Sequence, residues 1–349
     1  MPILAAMILV LALLVRPAAA GDGKQLAQEV AKAGDTELGT FTFQFENDLF
    51  AGTDRYYTNG VRLSWLSPEG GKTLPILQQV RDLLEVIAQD ENETTRFGWA
   101  LGQDIYTPSD KAPTALIADD RPFAGWLYGS LSVHTVNDMG GGAKTSETVE
   151  VSLGLVGPEA LGEESQDFVH KLRGISVFNG WDNQLKTEPG LMVAYERKWR
   201  LADPWNLGRG WQADFVPNVG ASLGNVLTHA GAGAAMQVGL NLPADFGPPS
   251  LIQGGTALDK LNEEGWSFYF FATGEGRYVA HNIFLDGNTW RDSHSVDREP
   301  WVGQFTLGAA VTYGRFCIAY TNALVTKEFA GQARASRFGS LSASFQAFF

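Results

Sequence analysis

The chain is predicted to be all-β, a transmembrane antiparallel β-barrel of about twelve strands with a short extracellular loop helix. Three observations lead there. Short stretches alternate apolar and polar residues, which sends successive side chains to opposite faces of a strand. The final stretch alternates in the same way and closes on Phe348 and Phe349, a pattern typical of the last strand of an outer-membrane barrel. Beyond the first apolar run, no segment approaches the length of a membrane-crossing helix, so membrane residence has to come from strands.

Along the chain, residues 1–20 form the first element. Ile3 to Val15 is apolar and leads to Pro17-Ala18-Ala19-Ala20, a small-residue cleavage site of the signal-peptide kind. Removing them leaves 349 − 20 = 329 residues, and 21–349 carry no linker or composition break, so they are expected to be one barrel domain.

The first strand has Phe41, Phe43 and Phe45 against Thr42, Gln44 and Glu46; the second has Val61, Leu63 and Trp65 against Arg62 and Ser64. Phe97 to Leu101, Leu127 to Val133, Val149 to Leu155 and Leu191 to Trp199 mark the third to sixth. Six more follow near 211–223, 231–242, 266–278, 301–313, 316–325 and 338–349. The total, about twelve, is even, as in single-chain bacterial barrels. Two segments have helical spacing instead: Pro75 to Ala88, and Glu159 to Arg173 with Phe168, Val169 and Leu172 on its apolar side. The Pro/Gly-rich connection between Leu242 and Trp266 fits neither pattern.

Composition agrees. The 40 aromatic residues can furnish interfacial girdles, while 19% charged residues and a mean hydropathy near zero suit strands that are apolar on one face only. A lone Cys317 excludes a disulfide framework or a multi-cysteine metal site. A net charge of −13 argues against a nucleic-acid partner.

If the processed chain starts on the periplasmic side, connections 47–59, 104–124, 157–190, 225–230, 281–300 and 326–337 face the cell surface. The helix at 159–173 then lies outside and the one at 75–88 inside. The first three outer connections are the most polar. Asp48 with Asn47 and Thr58 offers hard oxygen ligands of the kind Ca²⁺ takes, and the same residues also form ordinary turns. His170 follows Gln166 by four residues, so the two share a helix face. Such a histidine can take a proton near neutral pH, or can simply be a solvated surface residue. Neither Gly-x-Ser-x-Gly nor His-Glu-x-x-His occurs.

Five ordered strings carry a resemblance: Phe45-Glu46-Asn47-Asp48 with Tyr57-Thr58-Asn59-Gly60; Gln103-Asp104-Ile105-Tyr106-Thr107-Pro108; Asp120-Arg121-Pro122-Phe123; Gly157-Pro158 followed by Gln166 and His170; and Trp181-Asp182-Asn183-Gln184. Together they resemble the outer-membrane lipid A deacylase family. The resemblance implies a twelve-stranded barrel that hydrolyses the 3′-O-acyl ester of lipid A with Ca²⁺. It implies His170 as the water-activating base, with Asn47, Asp48 and Thr58 at the active site and its cation, and Lys111, Arg121 and Gln166 as substrate contacts. Two family positions differ here: Ser176 stands in place of a glutamate and Phe178 in place of a tyrosine, and an expected basic pair is reduced to Lys111. The expected setting is the bacterial outer membrane, with the active site facing the cell surface, lipopolysaccharide as partner, and a monomer. The rival expectation is a non-catalytic pore, in which small inward residues such as Gly98, Ala100 and Gly102 leave a lumen.

Overall fold

A computed structural model of the chain describes residues 38–48, 56–69, 93–243, 245–247 and 265–348. The expected leader at 1–20, the helix at 75–88, most of the 243–265 connection and Phe349 lie outside the described residues.

Alternating segments pair with their neighbours in chain order: β1 (Leu38–Asn47), β2 (Tyr56–Leu66), β3 (Glu93–Thr107), β4 (Ala124–Gly140), β5 (Ala143–Val156) and β6 (Glu188–Arg200) form one half of the wall. β8 (Trp211–Gly224), β9 (Leu227–Leu240), β10 (Trp266–Asn282), β11 (Trp301–Tyr313), β12 (Phe316–Val325) and β13 (Ser336–Phe348) form the other. Two seams close the barrel. β1 pairs with β13 from Leu38↔Phe348 to Asn47↔Gly339, and β6 pairs with β8 from Met192↔Gly224 to Lys198↔Asn218. Closure leaves β1 and β6 with a partner on both sides, where a bilayer would not tolerate a bare edge.

The twelve-strand barrel and its strand positions match the sequence expectation. The short strand β7 (Trp205–Gly208) was not expected; it pairs with the start of β8 where β6 has ended. Among the described residues no helix is long and apolar enough to cross a membrane, which says nothing against a crossing by strands.

The two faces of the wall differ as a membrane barrel requires. Outward positions such as Leu101, Leu153, Leu191, Phe215, Leu223 and Leu307 are apolar and exposed. Aromatic pairs bracket this belt on β10 and β11: Trp266 against Tyr313, with ring centroids 4.5 Å apart, and Tyr278 against Trp301 at 5.2 Å. They lie 278 − 266 = 12 residues apart on β10. Such a run is ~40 Å of strand, and at a tilt near 40° it gains about 30 Å of height, close to the apolar thickness of a bilayer.

Inward positions are polar and buried: Thr42, Ser64, Ser130, Ser152 and Glu150 among them. The lumen is filled where the pore reading needed it open. A side chain at Gly102 would meet the Tyr128 phenol at 2.5 Å, and one at Gly98 would meet Ser132 Oγ at 2.5 Å. Tyr128 stacks on Trp126 and accepts a hydrogen bond from Arg62, whose guanidinium is paired with Glu150 at 2.7 Å.

One end of the barrel is capped. Leu185 and the short helix α2 (Ile283–Asp286) pack with Tyr57, Tyr106 and Trp126, and Phe284 stacks on Tyr106 at 4.0 Å. Loops are tied across the cap: His294 Nε2 donates to the Asp120 carbonyl (2.7 Å), and Asn288 bonds the backbone of Lys186 in both directions. Burial opposes charge on Asp286, but His281, the Asn282 amide and Arg298 outweigh it and hold the carboxyl below its usual range.

Candidate active site on the outer wall

Strand register collects the site. Asn47 pairs with Asn59, Asn59 with Ile105, and Ile105 with Gly125, so these four residues form one row on one face of β1 to β4. Counting down by twos reaches Phe43 and Leu101, which are exposed and apolar. The row is therefore on the outer face, and the lipid-facing belt begins just below it.

The loop after β5 lays a helix over this row. Gly157 turns with φ 104°, and a side chain there would meet the backbone of Lys186 and Thr187 at 2.7 Å, so only glycine fits. A 3₁₀ turn, Pro158–Ala160, then leads into α1 (Gly162–Arg173). Gln103 Nε2 donates to the carbonyls of Ala160 (2.6 Å) and Leu161 (3.1 Å), fixing the helix start to the wall. Gly125 has no side chain to hold α1 away: a Cβ there would sit 3.1–3.2 Å from Ala160 and Gly162.

Seated this way, α1 turns Gly162, Gln166 and His170 inward, all of them buried. Phe168 and Leu172, expected to form the packed side, are 36% and 76% exposed. The helix buries its polar stripe and exposes its apolar one.

His170 is 1% exposed. Gly174 caps α1 in the left-handed conformation and folds the chain back, so that Ser176 O lies 2.8 Å from His170 Nδ1. A carbonyl only accepts, so Nδ1 carries a proton, and the neutral tautomer that this bond selects has its lone pair on Nε2. The orienting group is the main chain of Ser176, at a position where the sequence comparison had looked for a side chain. Phe178 packs against the imidazole with centroids 5.9 Å apart. Ile105, Phe123, Phe178 and Trp181 form the apolar bed of the site.

Gln166 is locked as firmly. Trp181 Nε1 donates to its Oε1 at 2.9 Å, and since an indole only donates, the amide NH₂ is the end left over. That buried nitrogen has no hydrogen-bond partner among the described residues. Lys111 places its ammonium 5.8 Å above the Phe178 ring, bringing positive charge to the edge of the site. On the outer flank of α1, Glu163 has its carboxyl raised by partial burial and then by the repulsion of Glu164 and Asp167.

Across the row, Asn47 Nδ2 donates to the Thr58 carbonyl (3.0 Å), and the Thr58 and Thr107 hydroxyls meet at 2.6 Å. Thr58 is the extra residue of a bulge between Tyr57 and Asn59. Asp48, one residue beyond the last β1–β2 pair, is fully buried. Asn59 Oδ1 is buried with no hydrogen-bond partner among the described residues. The donors here are hard oxygens with a single carboxylate, and no three His, Cys, Asp or Glu side chains are grouped for a metal among the described residues. The set suits an oxygen-seeking cation such as Ca²⁺ in chemistry, and Asn59 Oδ1 is an acceptor still to be used.

One expected residue is not in this group. Arg121 is buried on the lumen side, 4.7 Å over the Tyr106 ring and 3.4 Å from Glu328 Oε2, where it braces the cap. Asp104, a carboxylate of the Gln103–Pro108 string, also faces the lumen, where Tyr57 donates to it at 3.2 Å and to Glu46 at 2.5 Å. Asn59 was within a quoted motif but unassigned; its pairing with both Asn47 and Ile105 singles it out.

Fold and site together define an outer-membrane β-barrel with a polar site on its outer wall, at the border of the lipid belt. The chain belongs to the outer membrane protein LpxR family, whose model matches residues 5–347. LpxR from Salmonella typhimurium has a similar structure, with a TM-score of 0.71 at 21% identity, covering 89% of this chain and 100% of that one. An outer membrane channel from Pseudomonas putida F1 gives 0.43 at 11% identity, covering 90% and 99%. The β domain of the Bordetella autotransporter BrkA gives 0.41 at 10%, covering 89% and 98%. The last two likenesses are too slight to inform the site. No curated protein matches the chain.

Proposed function

We propose that this protein is a lipid A acyl-ester hydrolase, removing the 3′-O-acyl chain at the outer surface of the outer membrane. The observation that carries this reading is the position of His170: oriented, buried and on the outer wall just above the lipid-facing belt. An ester linking an acyl chain to a sugar headgroup lies at that border, with its chain in the apolar layer and its carbonyl among polar groups. The space inside Gly98 and Gly102, occupied by Ser132 and Tyr128, favours this over a pore.

In the proposed reaction a water adds to the ester carbonyl while His170 Nε2 takes its proton. The acyl carbon–oxygen bond then breaks, and the same proton returns to the leaving sugar hydroxyl. The Ser176 carbonyl holds the ring and favours the imidazolium that forms in between. Gln166 Nε2 is the donor free to bind an ester oxygen. Lys111, held over Phe178 at the edge of the site, would face a lipid A phosphate. Asn47, Asp48, Thr58 and Asn59 would hold Ca²⁺, which when bound supplies positive charge to stabilise a carbonyl oxygen as it becomes negative.

Mass spectrometry of lipid A from cells with and without the expressed protein tests the reading, with Ca²⁺ supplied or chelated. Loss of one ester-linked chain at the 3′ position, dependent on Ca²⁺, is the expected result. Unchanged lipid A in cells holding folded protein at the outer membrane would defeat it.

A further inference from the structure

Helix α1 has three sides. At about 100° per residue, Gly162, Gln166 and His170 take the wall side, and Glu163, Glu164, Asp167 and Lys171 take the next flank. Phe168, Val169 and Leu172 take the remaining one, with Leu172 among the most exposed apolar side chains described. On a helix surrounded by water an apolar flank of this kind would be costly and purposeless.

Its height on the barrel suggests another solvent. The row beneath α1 contains Ile105, and the first openly exposed apolar row contains Leu101, four residues lower on β3. Four residues are ~13 Å of strand and about 10 Å of height at barrel tilt, roughly one helix diameter. The lipid belt continues through Phe43, Leu153 and Leu191 in register with Leu101. An apolar flank within one helix diameter of that belt continues an interface the barrel already makes.

We propose that α1 is an interfacial membrane anchor: Phe168 and Leu172 enter the acyl layer of the leaflet at the capped end, while the Glu163–Lys171 flank stays in water. The occupant is bulk lipid of the bilayer. A flat helix with one charged and one apolar flank is the form that lies in a membrane interface. Burying a leucine side chain favours that state roughly tenfold or more. The anchor deepens the proposed function, because it would hold the His170 face at ester depth, yet its test involves no hydrolysis.

The test uses the full-length protein with Cys317→Ala, so that a label attaches only where a new cysteine is placed. Leu172→Cys and Glu164→Cys each receive an environment-sensitive fluorophore, and each protein is refolded into phosphatidylcholine vesicles free of lipid A. Folding is verified by the mobility difference between unheated and heated samples; Cys317→Ser serves if the alanine background does not fold. Spin labels on lipid acyl chains should quench the Leu172 label several times more than the Glu164 label, and aqueous iodide should reverse that order. Equal responses from the two positions would overturn the anchor. Lipid quenching that requires added lipid A would overturn it too, because the flank would then be a substrate subsite.

Discussion

Asp104 and Ile105 are neighbours on β3 and belong to different parts of the molecule. Asp104 points into the lumen, where it and Glu46 share the Tyr57 hydroxyl as acceptors and the Arg62–Glu150 pair lies nearby. Ile105 points outward and floors the row that carries Asn47 and Asn59, under His170. Around Asp104 the lumen charges are tied to one another and to phenols: Glu46 accepts from Tyr57, and Arg62 pairs with Glu150 and reaches Tyr128. Outer-wall polar groups are held just as firmly but leave Gln166 Nε2 and Asn59 Oδ1 unspent among the described residues. On the proposed function, the first network holds the barrel and the second is kept for a ligand.

The comparison predicts that outer-wall changes cost turnover and lumen changes cost stability. The largest effect should come from His170→Gln, which keeps the volume but cannot take the proton: deacylation should fall about 10²–10⁴-fold. Its thermal midpoint, read from heat-modified gel mobility, should stay where it was. Turnover at the native rate in a folded variant would move the base elsewhere.

Next is the cation. Excess chelator should stop hydrolysis, and Asp48→Ala should show the same low rate and no further response to chelator. A variant still inhibited by chelator would hold its metal without Asp48.

Arg62→Met tests the other face. It leaves Glu150 buried without its cation, so the barrel should lose about 3–5 kcal/mol of stability, measured as a lower denaturation midpoint. Turnover per folded molecule should be unchanged, and a matching loss of both would dissolve the distinction between the faces.

The smallest pair adds one carbon to each side. Gly125→Ala presses on Ala160 and Gly162 and should lift α1, lowering activity more than stability. Gly102→Ala presses on Tyr128 and should lower stability, by about 1–3 kcal/mol as overpacked cores do, more than activity.

Much of the fold was legible because barrel strands obey a two-residue period wherever one face meets lipid and the other a polar lumen. β7 escaped because Trp205–Gly208 is too short to display a period. Helix α1 was legible as a helix, but its buried side was not. An amphipathic pattern names a packed face only if the surroundings are water; here the wall contacts are Gln166 and His170, and the apolar residues face outward. The site was legible in part: Asn47, Thr58 and His170 lie in motifs on connections that share one end. What orients His170 was hidden, because every residue owns a carbonyl and only the Gly174 turn selects that of Ser176. Arg121 misled because sequence shows a charge and not which side of the wall receives it.

The seam between β1 and β13 has a consequence for how the molecule comes into being. Its pairing Leu38↔Phe348 joins positions 348 − 38 = 310 residues apart. Until β13 is delivered, β1 presents a full row of bare amides and carbonyls that hydrocarbon cannot satisfy. The strands therefore cannot enter the membrane one at a time as a ribbon and wait. Insertion and closure have to be nearly a single event, slow for so distant a contact, and the waiting polypeptide needs shelter from aggregation until its two far ends meet.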